Sequence, residues 1–118
     1  MKNSILILTL VCIFVTGCTT VSHGGYYWSN YSYTYHDLIK NPSEETRLNH
    51  EKTLRNIINK SAEKDLRVPP GIHAELGNLL LDSDRVDEAI ANFEMEMSIY
   101  SESRVFLERL LQNITKRN

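Results

Sequence analysis

The chain has 118 residues, 42% of them apolar and 24% charged, with a formal net charge of -2, two cysteines and one tryptophan. That length holds one small domain. The near-average composition and near-neutral charge exclude collagen-like, disordered, disulfide-rich and strongly basic classes, so no nucleic-acid partner is expected.

The first element is Lys2 followed by an apolar run from Ile5 to Val15, broken only by Thr9. A bilayer span takes about 20 apolar residues, so this run is too short to cross one. It suits the hydrophobic region of a signal peptide. The run leads into Val15-Thr16-Gly17-Cys18, which resembles the lipobox of bacterial lipoproteins. The resemblance implies cleavage between Gly17 and Cys18, a diacylglycerol on the Cys18 sulfur and an acyl chain such as palmitate on its new amino group. No other cofactor is expected. One acyl chain holds a protein only marginally, whereas the three implied here anchor it stably. Thr19 follows the cysteine; lipoproteins with Asp there tend to stay at the inner membrane, so the resemblance points to the outer membrane of a Gram-negative cell, on its periplasmic face.

Three segments follow: residues 1–17 as leader, 18–25 as lipidated cysteine and flexible tether, and 26–118 as a helical domain. Cys12 leaves with the leader and Cys18 takes lipid, so the mature chain keeps neither thiol nor disulfide. It has 101 residues and, without Lys2, a charge of -3. The tether, Thr-Thr-Val-Ser-His-Gly-Gly, reaches at most ~25 Å from the lipid.

In the domain, Trp28, Tyr31, Tyr35 and Leu38 recur at helical spacing, with Ser29 or Asn30 as N-cap. Tyr31, Tyr33 and Tyr35 also alternate as in a strand, but the alternation breaks at His36-Asp37 while the helical spacing runs on to Ile39. Asn41-Pro42 ends the helix. Ser43 caps a second helix, to about Lys64, with Glu44 and Glu45 at its positive end. Leu48, Leu54, Ile57 and Ile58 form its narrow apolar stripe, and Glu51 with Arg55 and Glu63 with Arg67 are expected as exposed pairs. Val68-Pro69-Pro70-Gly71 then breaks the chain.

A third helix carries Leu76, Gly77, Leu79, Leu80 and Leu81 and stops at Asp82-Ser83-Asp84. Asp84 is expected to cap a fourth, whose face is Val86, Ala89, Ile90, Phe93, Met97 and Tyr100. The fifth presents Val105, Phe106, Leu107, Leu110, Leu111 and Ile114, with Lys116 and Arg117 complementing its dipole. The expected fold is all-α, about five helices arranged as hairpins.

Helices three and four resemble one tetratricopeptide repeat, through Leu76, Gly77, Leu80, Ala89 and Phe93. Gly77 and Ala89 are small where the two helices would cross closest. Departures are His73 where the family has Trp, Glu96 where a small residue is common and Ser101 where Pro closes the repeat. No second copy lies at a period of about 34, so the first two helices would be a diverged hairpin and the fifth a C-terminal cap. The whole order of lipobox, Tyr/Trp stretch, Asn-Pro, Val-Pro-Pro-Gly-x-His-Ala-x-Leu-Gly and Glu-Ser-x-Val-Phe is similar to an uncharacterised family of small bacterial lipoproteins. Its members are often encoded beside a CsgG-like secretion lipoprotein, which implies a role in an outer-membrane assembly with that lipoprotein as a candidate partner.

Chemistry-bearing clusters are scarce. His23, His36, His50 and His73 never fall at ligand-pair spacing, so no metal site is expected. The Asp82-x-Asp84 turn lacks the Gly and the final Glu of a calcium loop. No nucleophile stands beside a base, and no catalytic residue is assigned. Residues 82–102 hold Asp82, Asp84, Asp87, Glu88, Glu94, Glu96 and Glu102 against Arg85, while 40–67 and 103–118 carry +2 and +3. This is either an ordinary solvated face or a docking surface for a basic partner or a second copy. The leading expectation is a lipid-anchored, non-enzymatic scaffold that binds a protein partner. Aligning the repeat places Ala74, Asn78 and Leu81 on its binding side, and Trp28, Tyr31 and Tyr35 either extend that surface or fill the core. The alternatives are a pilotin-like chaperone for an outer-membrane secretin subunit and an envelope-acting enzyme using His73 and Glu75. Those two lie two apart on a helix and do not share a face.

Overall fold

The computed structural model describes residues 25–117. The leader, Gly17, Cys18 and the tether as far as Gly24 lie outside the described residues. Within them the chain is all-helical with no strand: α1 Tyr31–Lys40, α2 Glu44–Glu63, α3 Ile72–Leu81, α4 Val86–Ile99, a 3-10 turn Ser101–Ser103, and α5 Arg104–Arg117.

Local chemistry sets most boundaries. Ser43 caps α2 by accepting from the Thr46 amide at 3.1 Å, and Thr46 Oγ1 accepts in return from the Ser43 amide at 3.0 Å. This reciprocal pair satisfies two amides that the helix start leaves free. Gly71 takes φ 89 at the start of α3 and has no side chain to cap it. The buried Glu96 does so from α4, accepting from the Gly71 amide at 2.7 Å. A carboxylate there also meets the positive end of the helix dipole. Glu96 is therefore a structural group and not part of an acidic face. Glu88 is likewise tied up, bonded to Arg85 at 2.8 Å and to Arg55 at 3.2 Å.

The helices run up and down. Cross-links between α1 and α2 join residues whose numbers fall on one helix as they rise on the other: Tyr27 with Asn56, Asn30 with Thr53 and Thr34 with His50. The same holds for α3 and α4, through Gly71 with Glu96 and His73 with Asn92. α2 lies against α3, and α5 against α4. Between them sits one core of Leu54, Ile57, Ile72, Leu76, Leu79, Leu80, Ala89, Phe93, Met97 and Leu107.

The Phe93 ring lies directly against Gly77. A Cβ there would lie 2.5 Å from Phe93 Cε1 and 2.8 Å from Cζ, and Phe93 is fully buried. Gly77 is thus required by the ring beside it.

Several expectations are corrected. α1 begins at Tyr31, its N-cap Asn30 makes no capping bond, and Ser29 before it has φ 49. Leu48 is exposed. The buried stripe of α2 runs instead through Thr46, His50, Thr53, Leu54, Ile57 and Ser61. Glu51 is not an exposed partner of Arg55: it is buried and accepts from both Arg55 and Arg85 at 2.8 Å. Glu63 pairs with Lys60. Arg67 turns away, donating to the Ile99 carbonyl and lying 4.5 Å over the Tyr100 ring. Asp84 sits at φ 57 and caps nothing, because Arg85 occupies the N-cap of α4. On α5, Val105 and Phe106 are exposed; that helix packs through Leu107, Leu110, Leu111 and Ile114.

Gly77→Ala is expected to destabilise the domain by about 1–3 kcal/mol through overpacking, despite the better helix propensity of alanine. Urea unfolding would measure the change. A more stable variant would mean that Phe93 has room to move.

Candidate functional site

α1 is a polar helix whose single buried residue is Thr34. It is therefore held less by apolar burial than by a hydrogen-bonded cluster that reaches α2 and α3. His50, with no exposed surface, stands at the centre. Its Nδ1 lies 2.8 Å from Thr34 Oγ1 on α1, and its Nε2 lies 2.7 Å from Glu75 Oε1 on α3. The other carboxyl oxygen of Glu75 accepts from the Tyr31 hydroxyl at 2.7 Å. Buried polar groups are costly unless bonded, and each atom of this cluster has a partner.

Thr34 carries one hydroxyl hydrogen and two acceptors within reach, His50 Nδ1 and the Tyr31 carbonyl at 3.2 Å. The imidazole can thus hold a proton on Nδ1 or lack one there and stay bonded, with Thr34 turning between the two acceptors. Burial, and then the hydrogen bond to Glu75, push the Tyr31 hydroxyl well above its ordinary range. Folding favours its neutral form, so this contribution is complete below about pH 10 and is lost as the pH rises beyond it.

Aromatic rings cover the cluster. Tyr31 and Tyr35 are stacked at 5.7 Å, and both tilt onto the His50 ring at 5.3 and 5.7 Å. Trp28 meets Tyr31 edge-on at 5.5 Å, and Tyr26 meets Trp28 at 6.3 Å. Trp28 and Tyr35 still keep 43% and 44% of their surface exposed. The Tyr/Trp segment is thus half packing and half surface. On α3, Asn78 is exposed while Ala74 and Leu81 are half-buried and pack partly against the core. Tyr31 reaches α3 through Glu75, and neither Trp28 nor Tyr35 makes a hydrogen bond or ring contact with α3 among the described residues.

His73 is a different case. It is buried and bonded to Asn92 at 2.9 Å, and Glu75 pairs with His50 instead. Among the described residues no group of three or more His, Cys, Asp or Glu side chains is placed to hold a metal ion. No described helix is long and apolar enough to cross a membrane. Sequence reasoning missed Thr34 and His50. The signal was the spacing of Thr46, His50, Thr53, Ile57 and Ser61, which continues the α2 stripe in polar residues.

A second network ties α2 to the α3–α4 turn. Burial alone would raise the Glu51 carboxyl, but hydrogen bonds from Arg55 and Arg85 together outweigh it and hold the group below its usual range. Arg47 joins by donating to Ser83 Oγ at 2.6 Å.

Fold and surface together define a small all-helical domain of two hairpins closed by a fifth helix, with a half-exposed aromatic array at its N-terminal end. The model of the family described as Domain of unknown function (DUF4810) matches residues 26–110. The chain belongs to that family. Searches of curated proteins and of solved structures found no match.

Two outcomes follow. Tyr31→Phe and Glu75→Gln should each cost about 1–2 kcal/mol, and the double variant less than their sum; additive losses in chemical denaturation would show that the hydrogen bond is not energetically formed. In acid, the stability contributed by Glu51 is present above the ordinary carboxyl range near about pH 4.3 and is lost as pH falls through its lower folded value. Glu51→Gln should flatten the stability profile between about pH 5 and 2; an unchanged slope would contradict the Arg55 and Arg85 pairing.

Proposed function

We propose that this chain is a lipid-anchored scaffold, held by acyl chains on Cys18 at the periplasmic face of the outer membrane, that binds a protein partner through its aromatic surface. The observation that carries the reading is the exposure of Trp28 and Tyr35 on rings fixed from beneath by the His50 cluster. Aromatic side chains that are rigid before binding lose little entropy on contact and are the usual anchors of protein interfaces.

Further support comes from the sequence. The run from Ile5 to Val15 and the Val15-Thr16-Gly17-Cys18 lipobox argue for cleavage before Cys18 and for lipidation there. The tether is short, so the partner must work close to the membrane surface. The α3–α4 hairpin, with its Gly77–Phe93 contact, supports a repeat-like reading in which Ala74, Asn78 and Leu81 continue the binding side. A CsgG-like lipoprotein of the outer membrane is the partner that the resemblance suggests, and the anchor puts both on one surface.

Two measurements test this. Metabolic labelling with palmitate should mark the protein and sediment it with outer membranes, and Cys18→Ala should abolish both. A soluble, unlabelled wild-type protein would overturn the anchor. Pull-down from detergent-solubilised membranes should recover a partner with the wild type, and Trp28→Ala with Tyr35→Ala should reduce recovery by about tenfold or more, the order expected of an aromatic hot spot. Undiminished recovery would place the binding surface elsewhere.

A further inference from the structure

Where two helices pack, their seam is ordinarily apolar. Between α1 and α2 it opens instead into a groove of about 470 Å³ in which no aliphatic side chain takes part. The size falls within the range of small-molecule sites, but the lining is far more polar than is usual for them. Ser29, Asn30, Tyr33 and Asp37 line it from the α1 side, and Asn49, Lys52 and Asn56 are among those from α2.

The groups of this groove are set rather than loose. The Asn30 amide is held at one end by two hydroxyls, Ser29 at 3.2 Å and Thr53 at 3.3 Å, each able to donate or accept. Its other end has no partner among the described residues. Asn56 is held in the same way, its Oδ1 accepting from Tyr27 at 3.4 Å. The side chains of Asn49, Lys52 and Tyr33 make no hydrogen bond among the described residues. The groove therefore offers unused amide donors and an amide acceptor, and the charges of Asp37 and Lys52 cancel. Tyr33, 72% exposed, adds a flat ring face at the rim.

That combination selects a ligand class. A net-neutral groove does not recruit an ion, and without an apolar pocket it has nothing to anchor a peptide side chain. A saccharide presents what the groove matches: hydroxyls that donate and accept, and a ring whose C–H face stacks on an aromatic. An acetamido substituent carries one N–H and one carbonyl, the complement of an asparagine amide. We propose that the α1–α2 groove binds a neutral saccharide bearing acetamido groups, one or two rings in length. This goes beyond the scaffold reading and does not rest on it, since Trp28, Tyr31 and Tyr35 do not line the groove.

Titrating chitotriose into the isotope-labelled full chain in detergent micelles, followed by NMR, tests the proposal, with maltotriose as a neutral saccharide lacking acetamido groups. Saturable shifts confined to the neighbourhood of residues 29–56, with a Kd of about 1 mM and at least a tenfold preference over maltotriose, are expected. Tyr33→Ala and Asn49→Ala remove exposed side chains that the fold does not use, so their circular dichroism should match the wild type while binding weakens by about tenfold. No shifts with about 10 mM chitotriose, equal response to both sugars, or full affinity in both folded variants would each overturn it.

Discussion

A fully buried imidazole needs a hydrogen-bond partner for each ring nitrogen, and His50 finds one on each neighbouring helix. This requirement fixes α1. That helix buries only Thr34 outright, so apolar burial would hold it weakly. The bonds from Thr34 to His50, from His50 to Glu75 and from Tyr31 to Glu75 instead join α1, α2 and α3 at one point. The same bonds decide which faces of Tyr31 and Tyr35 are covered and which are left to solvent. The aromatic surface is a consequence of how a polar helix is fastened.

The other hairpin is joined by different means. α3 and α4 meet through apolar volume, with Gly77 making way for the Phe93 ring. Polar contacts tie their ends: one carboxyl oxygen of Glu96 serves the start of α3, and one of Glu51 gathers Arg55 and Arg85 at the turn between the helices. The second oxygen of each is buried without a hydrogen-bond partner among the described residues. Of the acids in residues 82–102, Glu96 is spent on the start of α3 and Glu88 is paired with Arg85 and Arg55. Asp82, Asp84, Asp87, Glu94 and Glu102 remain on the outside, a thinner negative surface than charge counting suggests. Val105 and Phe106 stay exposed because α5 turns Leu107 and Ile114 to the core.

The fold was legible wherever one residue class carried the signal. The apolar spacing of α4, the break at Val68-Pro69-Pro70-Gly71 and the cap at Ser43 lie where the sequence indicates. What escaped is what depends on partners distant in the chain. Thr34 and His50 are 16 residues apart, and Tyr31 and Glu75 are 44 apart; no local pattern links them. Glu51 looked exposed because Arg55 follows it at helical spacing, while the deciding partner, Arg85, comes from across the fold. Glu96 is buried because it serves the amide of Gly71, 25 residues away, which has no side chain to cap its own helix. Leu48 fits an apolar stripe by identity alone, whereas the buried stripe is partly polar.

The proposed scaffold role would need the contact groups in place before a partner arrives, because ordering them on contact would cost affinity. Here the rigidity of the surface depends on α1 opening together with the rest of the domain. Native-state hydrogen exchange reads this directly. Amides of residues 34–40 are expected to exchange with an opening free energy close to that of α2, and His50→Ala to lower the value for α1 before it affects α4. Independent exchange of α1 in the wild type, with α2 to α4 still fully protected, would contradict it.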